Sequence, residues 1–306
     1  MNNLTKLKDN YLLFCQNQKC LDEKTLKAYG IDLAQFLKMI DTDSLSAIDT
    51  NLLEKYICQL HQIYKPKTAK RKIASVKAFF HYLEYKDYIS VNPFSKIHIK
   101  FREPVILPKT IPLNTVELFL STMYNRLTSS KNHYQHRNTL RDIAVIELLF
   151  ATGMRISELC SLSPSNINLI NRTVLIYGKG AKERIIQIGN NDVYQILCEY
   201  FNEYQKEIER TGYFFINHLG EPLSDQSVRR MIRKYTNAAA ISLHITPHMF
   251  RHTFATALLD ADVDIRYIQE MLGHSSINIT EIYTHVTTAK QMRILSTKHP
   301  RKDLRV

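Results

Sequence analysis

The sequence predicts a mainly α-helical protein of two domains with a small β-sheet, on three observations. Its 306 residues exceed what one compact core usually covers. Most of its segments place apolar residues three and four apart, the period of a helix that buries one face. Two apolar β-branched runs flank a single Gly-rich turn in TVLIYGKGAKERIIQI (173–188), which predicts a hairpin.

The elements follow in order. In the N-terminal part TLKAYGIDLAQFLKMI, NLLEKYICQLHQI and PKTAKRKIASVKAFFHYLEY each read as helix, the last with Pro66 in its first turn. There Ala69, Ile73, Val76, Phe80 and Leu83 form an apolar stripe, while Lys67, Lys70, Arg71, Lys72 and Lys77 crowd the first half. A charge run of this kind is either a solvated face or a helix laid against phosphates. Pro104, Pro108 and Pro112 forbid a regular helix in FREPVILPKTIP, which reads as an interdomain linker. The expected boundaries are 1–100 for a helical domain, 101–112 for the linker and 113–306 for a second domain. In that second domain LRDIAVIELLFAT is a buried helix stopped at Gly153, and RISELCSL a short one stopped by Pro164. Helical period resumes in DVYQILCEYFNEYQKEI, SDQSVRRMIRKYTNAA, TPHMFRHTFATALLD, DIRYIQEML and near TEIYTHV. The polar stretch LTSSKNHYQHRNT (127–139) has no apolar period and reads as a loop.

Composition narrows the function. No run of 18 apolar residues is present, the N-terminus lacks a signal-peptide pattern, and the expected location is cytoplasmic and nucleoid-associated. Five cysteines, 15, 20, 58, 160 and 198, lack any C-x-x-C pair, so neither a disulfide framework nor a cysteine zinc site is indicated. The net charge of +12 suits a polyanion. Up to residue 112, 18 Lys and Arg stand against 11 Asp and Glu; beyond it, 23 stand against 18. Both parts are therefore cationic, as two domains closing on one nucleic acid would be.

One set of polar residues suits a phosphodiester. Arg155 and Glu158 share a face of the short helix, His248 and Arg251 repeat that spacing, Lys179 stands in the hairpin turn, and Tyr283 lies between His274 and His285. Attack at phosphorus builds charge on nonbridging oxygens, which the planar forks of Arg155 and Arg251 would bind. Tyr283 would be the nucleophile. With an ordinary pKa of about 10, its ionisation at pH 7 costs roughly 4 kcal/mol, which His248 or His274 would offset as base. Lys179 would protonate the leaving alkoxide, and Glu158 would hold Arg155 or His248.

The ordered motifs ATGMRISEL, GKGAKER, HMFRHTFAT, LGHSSI and TEIYTHV, spanning about 142–286, resemble those of the tyrosine recombinases, the lambda-integrase and Xer-type family. By position, the resemblance implies a catalytic set of Arg155, Lys179, His248, Arg251 and His274 with Tyr283. It also implies a helical DNA-binding domain and an α-rich catalytic domain with a three-stranded sheet, forming a C-shaped clamp on double-stranded DNA. The implied reaction is cleavage through a 3′-phosphotyrosyl link and exchange through a Holliday junction, with no ATP, metal or other cofactor. A homotetramer on two DNA sites, a free monomer, a second recombinase or accessory protein, and a tail beyond His285 docked on a neighbouring protomer belong to the same expectation.

The chain departs from the family pattern in three places. Phe250 stands where His-x-Leu-Arg-His has leucine, Asp262 where LL-x-x-Gly has glycine, and the 127–139 stretch exceeds the loop of Xer-type enzymes, which favours a mobile-element integrase. Rival readings are a zinc hydrolase using His248 and His252, a type IB topoisomerase, and a catalytically silent DNA-binding regulator. The first is opposed by Met249 where a metalloprotease helix has Glu, and by Arg251 beside the metal position.

Overall fold

A computed structural model describes residues 3–98, 108–178 and 183–273. The chain divides into two compact units, Met1–Val105 and Ile106–Val306, each with its own apolar core. Among the described residues no helix is long and apolar enough to cross a membrane.

Among its described residues the first unit holds four α-helices: α1 Leu4–Asn17, α2 Glu23–Ile40, α3 Thr50–Ile63 and α4 Pro66–Tyr85. Asn3, Asp22 and Asp49 cap the first three by accepting backbone N–H bonds from Thr5, Thr25 and Leu52, each at 2.8 Å. Pro66 opens α4, where its missing N–H costs nothing. The predicted stripe of Ala69, Ile73, Val76, Phe80 and Leu83 is buried throughout. It meets Tyr11, Leu33 and Phe36, with Phe80 edge-on to Phe36 at 6.0 Å between ring centres. Burial of each larger side chain here contributes about 1.5–3 kcal/mol. The helix α1 was not anticipated, because its apolar positions Leu4, Leu7 and Tyr11 are interrupted by charge.

The basic run on α4 is not all solvent-facing, which corrects the sequence reading for Lys72. Its side chain is buried, and its Nζ donates to Asp32 Oδ1 at 3.1 Å, bonds Gln35 and lies 4.8 Å from the Tyr64 ring centre. The helical period sets its direction: Lys72 precedes Ile73 on the side turned toward α2. Asp32, itself fully buried, also accepts from Ser75 Oγ at 2.9 Å and pairs with Arg71. Lys67, Lys70, Arg71 and Lys77 are exposed.

The second unit is built around α6, His133–Thr152, whose residues from Thr139 to Leu149 are buried on every side. Packed on it are α5, Leu113–Thr128, α8, Asn191–Thr211, and α10, Pro247–Asp260. Short α7, Ile156–Cys160, follows α6, and α9, Asp225–Ala238, and α11, Ile265–Leu272, are further helices of this unit. Strands β1 Ile167–Asn168, β2 Thr173–Tyr177 and β3 Glu183–Gln187 form an antiparallel sheet in that order. In the hairpin register Leu175 faces Ile185, so Val174, Ile176, Arg184 and Ile186 turn inward.

One expectation changes here. The 127–139 stretch is not a loop: only residues 129–132 lie between α5 and α6, and the polar residues serve as helix anchors. Asn132 caps α6 by accepting from Gln135 N at 2.8 Å, and Arg137 reaches α8 to pair with Glu203 at 3.0 Å and Glu207 at 2.6 Å. The argument for a mobile-element integrase drawn from a long loop therefore falls. Phe254 and Leu258 join Val263 and Ile268 in a small separate cluster between α10 and α11. Asp262 does stand in the left-handed region, at φ 64°, and its N–H meets Leu259 O while Val263 N meets Leu258 O, which closes α10 without a glycine.

The Asp32 cluster makes a stability prediction. Removing the carboxylate charge in Asp32→Asn leaves Lys72 buried beside no counter-charge, and should lower unfolding free energy by about 3–5 kcal/mol. Denaturant unfolding should show most of that loss restored in Asp32→Asn with Lys72→Met; a single variant as stable as wild type would contradict the assignment.

Candidate active site

Helix α6 ends at Gly153, in the left-handed conformation at φ 60°. A Cβ there would lie 2.5 Å from Phe254 Cδ1 and 3.0 Å from Leu272 Cδ2, so glycine is required by both backbone and space. The tight turn brings Met154 into the core and leaves Arg155 as the residue that caps α7. The carboxylate of Glu158 accepts the Arg155 backbone N–H at 2.8 Å and the Arg155 Nη1 at 2.7 Å. The i,i+3 pair inferred from sequence is therefore formed, and Glu158 holds Arg155.

Glu158 has a second cation that sequence reasoning passed over. Arg184 on β3 donates from Nη2 to Glu158 Oε2 at 2.6 Å, and from Nε to Met271 O at 2.8 Å. The available signal was a cation in the inward register of a strand, in step with Ile186. Burial acts to raise the Glu158 pKa, but the hydrogen bonds from Arg184 and Arg155 outweigh it and hold the carboxyl below its usual range.

Helix α10 opens at Pro247, with Thr246 before it in extended conformation. Its second turn presents Arg251, 4% exposed, whose Nη1 donates to Gly153 O at 2.8 Å and Nη2 to Leu272 O at 2.7 Å. The guanidinium thus sits on the carbonyl ends of α6 and α11, where the helix dipoles favour a cation. Phe250, the departure from the leucine of the motif, is fully buried against Phe119 at 5.8 Å and Phe150 at 6.2 Å.

His248 is exposed on the first turn of α10, and packing around it together with Arg229, Arg251 and Arg155 lowers its pKa from the ordinary 6.5. His252 is lowered as well, by burial, His248 and Arg251. Arg229 was read only as part of a helical segment. With Arg230, Arg233 and His244 it lines a cavity of about 380 Å³ between α9 and residues 241–247, ending at Pro247 beside His248. The arginines around the two histidines oppose a zinc site, and among the described residues no group of three or more His, Cys, Asp or Glu could hold a metal ion.

The structure therefore gathers Arg155, Glu158, His248 and Arg251 about the end of α6. Lys179, His274 and Tyr283, and the C-terminal tail, lie outside the described residues, as does most of the expected linker.

Comparison with known proteins gives this constellation a family. Residues 120–290, a range that contains every member of the expected catalytic set, match the model of the phage integrase family, and residues 9–86 match the phage integrase N-terminal SAM-like domain. The chain belongs to the phage integrase family. Within that family a "Tyrosine recombinase" of Agathobacter rectalis is 63% identical over 303 residues, 99% of each chain. A "Tyrosine recombinase XerD" of Listeria innocua is 34% identical over 308 residues, 97% of this chain and 100% of the relative. In fold, the chain is similar to XerH site-specific recombinase bound to palindromic difH substrate in a post-cleavage complex, with a TM-score of 0.75 at 22% identity over 96% of this chain and 83% of that one. Phage integrase members of the tyrosine type thus match this chain over nearly all of its length.

The lowered histidine pKa values have a sign that can be checked. Because the unfolded chain binds these protons first, stability is fully present above pH 6.5 and falls as pH drops below it toward the lowered folded values. An NMR titration should place both imidazole midpoints below 6.5, and His248→Gln should flatten the decline of melting temperature between pH 7 and 5. Midpoints above 6.5 would contradict the cationic setting.

Proposed function

We propose that the chain is a site-specific DNA recombinase of the tyrosine type, acting through Arg155, Lys179, His248, Arg251, His274 and Tyr283. The observation that carries this reading is the convergence of Arg155 and Arg251 at one helix end, beside a histidine held neutral near pH 7. Planar cations arranged about one point suit the nonbridging oxygens of a phosphodiester, where negative charge grows on the way to the transition state. The full-length likeness to the XerD relative supports a Xer-like enzyme of two domains.

In the proposed reaction Tyr283 Oη attacks the scissile phosphorus while its proton passes to a neutral histidine, His248 or His274. The bond from phosphorus to the 5′ oxygen breaks, Lys179 protonates that oxygen, and a 3′-phosphotyrosyl link remains. A 5′-hydroxyl from the partner duplex then attacks the link, the proton transfers run in reverse, and Tyr283 is released. Phosphodiester energy is kept in the covalent link, so the scheme has no step for ATP or metal. Exchange of two strands in turn, through a Holliday junction, calls for four protomers on two duplexes, and a second recombinase could supply two of them. The reading places the protein on cytoplasmic DNA.

Residues 1–100 are proposed as the DNA-binding domain and 113–306 as the catalytic domain, joined by 101–112. Lys67, Lys70, Arg71 and Lys77 on α4 would meet backbone phosphates, which fix register without reading sequence. Lys72 is withdrawn from that set because, unlike the exposed Arg71, its ammonium is buried against Asp32 and Gln35.

Nicked suicide duplexes test the chemistry. Tyr283→Phe should bind DNA as wild type does and form no covalent adduct, and peptide mapping of the wild-type adduct should return Tyr283. Arg155→Ala or Arg251→Ala should slow cleavage by about 10²–10³. Adduct formation by Tyr283→Phe would remove the proposed nucleophile.

A further inference from the structure

Arg184 joins three elements that the chain separates widely. It occupies an inward position of β3, its side chain is only 7% exposed, and all three of its guanidinium nitrogens are engaged. Nη2 and Nη1 donate to Glu158 Oε2 at 2.6 Å and Oε1 at 3.2 Å, a two-pronged pairing. Nε donates to Met271 O at 2.8 Å, in the last turn of α11. The group also packs beneath Gly273, where an added Cβ would lie 3.1 Å from Nη1 and 3.2 Å from Cδ. A strand needs none of this to pack, since an apolar residue at the same position would avoid the cost of burying two charges.

The bonds form one chain of contacts: the α11 carbonyl fixes Arg184, Arg184 fixes the Glu158 carboxylate, and Glu158 fixes Arg155 through its side chain and backbone. Without Arg184, the Glu158 carboxylate could rotate toward Arg155 alone, and the guanidinium would follow it. We propose that Arg184 is a positioning residue for strand cleavage, holding Arg155 through Glu158 at a fixed place relative to the end of α11. The proposal rests on the reading of Arg155 as a phosphate-binding group. Its reach is long because Lys179 lies in the chain between β2 and β3, and His274 follows α11 by two residues.

The test uses the full-length chain and a nicked suicide duplex that wild type cleaves, drawn from a random-sequence pool by binding. Single-turnover cleavage and duplex affinity are measured separately for Arg184→Met, Arg184→Lys, Glu158→Gln and the double variant Arg184→Met with Glu158→Gln. Affinity should stay at the wild-type level while Arg184→Met cleaves about 100-fold more slowly, the scale of a small misplacement of a catalytic group. Arg184→Lys, which keeps the charge but cannot span both partners, should also lose rate, and it carries the test if Arg184→Met shows no cooperative melting. Adding Arg184→Met to Glu158→Gln should cost far less than it costs alone, because both act along one path. Wild-type cleavage by either folded Arg184 variant, or equal losses from Arg184→Met in the two backgrounds, would overturn the proposal. Arg155→Ala measured alongside separates the two levels: its cleaving at the wild-type rate would reject the phosphate-binding reading itself.

Discussion

The second unit depends on one buried guanidinium. Two helices, α6 and α11, end close together, and each leaves carbonyl oxygens with no partner inside its own helix. Arg251 donates to both, at Gly153 O and Leu272 O. Burying a guanidinium costs several kcal/mol, and two short bonds to the negative ends of helix dipoles offset that cost. The arrangement forces its surroundings. Gly153 has no room for a side chain against Phe254 and Leu272, and α10 must run past α6 closely enough for Arg251 to reach across.

Charge then accumulates with little to neutralise it. Arg155, Arg184, Arg229 and Arg251 lie around Glu158 and His248, and Glu158 serves two of the four. Burial and then the charge of Arg229, Arg251 and Arg155 lower the His248 imidazole pKa. A folded chain tolerates such an imbalance when a polyanion completes it, and a DNA phosphate has the shape and charge to do so. The same field serves the chemistry in advance, since cations already in place need no reorganisation as charge develops on phosphorus.

Much of this was legible in the sequence because it rests on short-range rules. The stripe on α4, the glycine stop at 153, the hairpin and the Arg155–Glu158 spacing follow from helical period, left-handed caps and strand alternation. The remainder depends on contacts distant in the chain. Lys72 looked like its basic neighbours until α2 placed Asp32 against it. Residues 127–139 looked like a loop because Arg137 is held by Glu203 and Glu207 some 70 positions away rather than by apolar packing. Arg184 and Arg229 acquire meaning only from what α11, α7 and α10 bring beside them. The roles of Lys179, His274 and Tyr283 were read from what attack on a phosphodiester requires, and the resemblance then fixed these positions among several tyrosines and histidines.

The most direct measurement of the central claim compares cleavage of a duplex carrying an ordinary scissile phosphodiester with one carrying an uncharged methylphosphonate at the same position. If the two guanidiniums act by meeting charge on the nonbridging oxygens, Arg251→Ala should lose about 10²–10³ in rate on the phosphodiester and little on the methylphosphonate. Equal losses on both substrates would show that Arg251 serves only to join α6 to α11, and the account of the site as a cationic cradle for phosphate would fail.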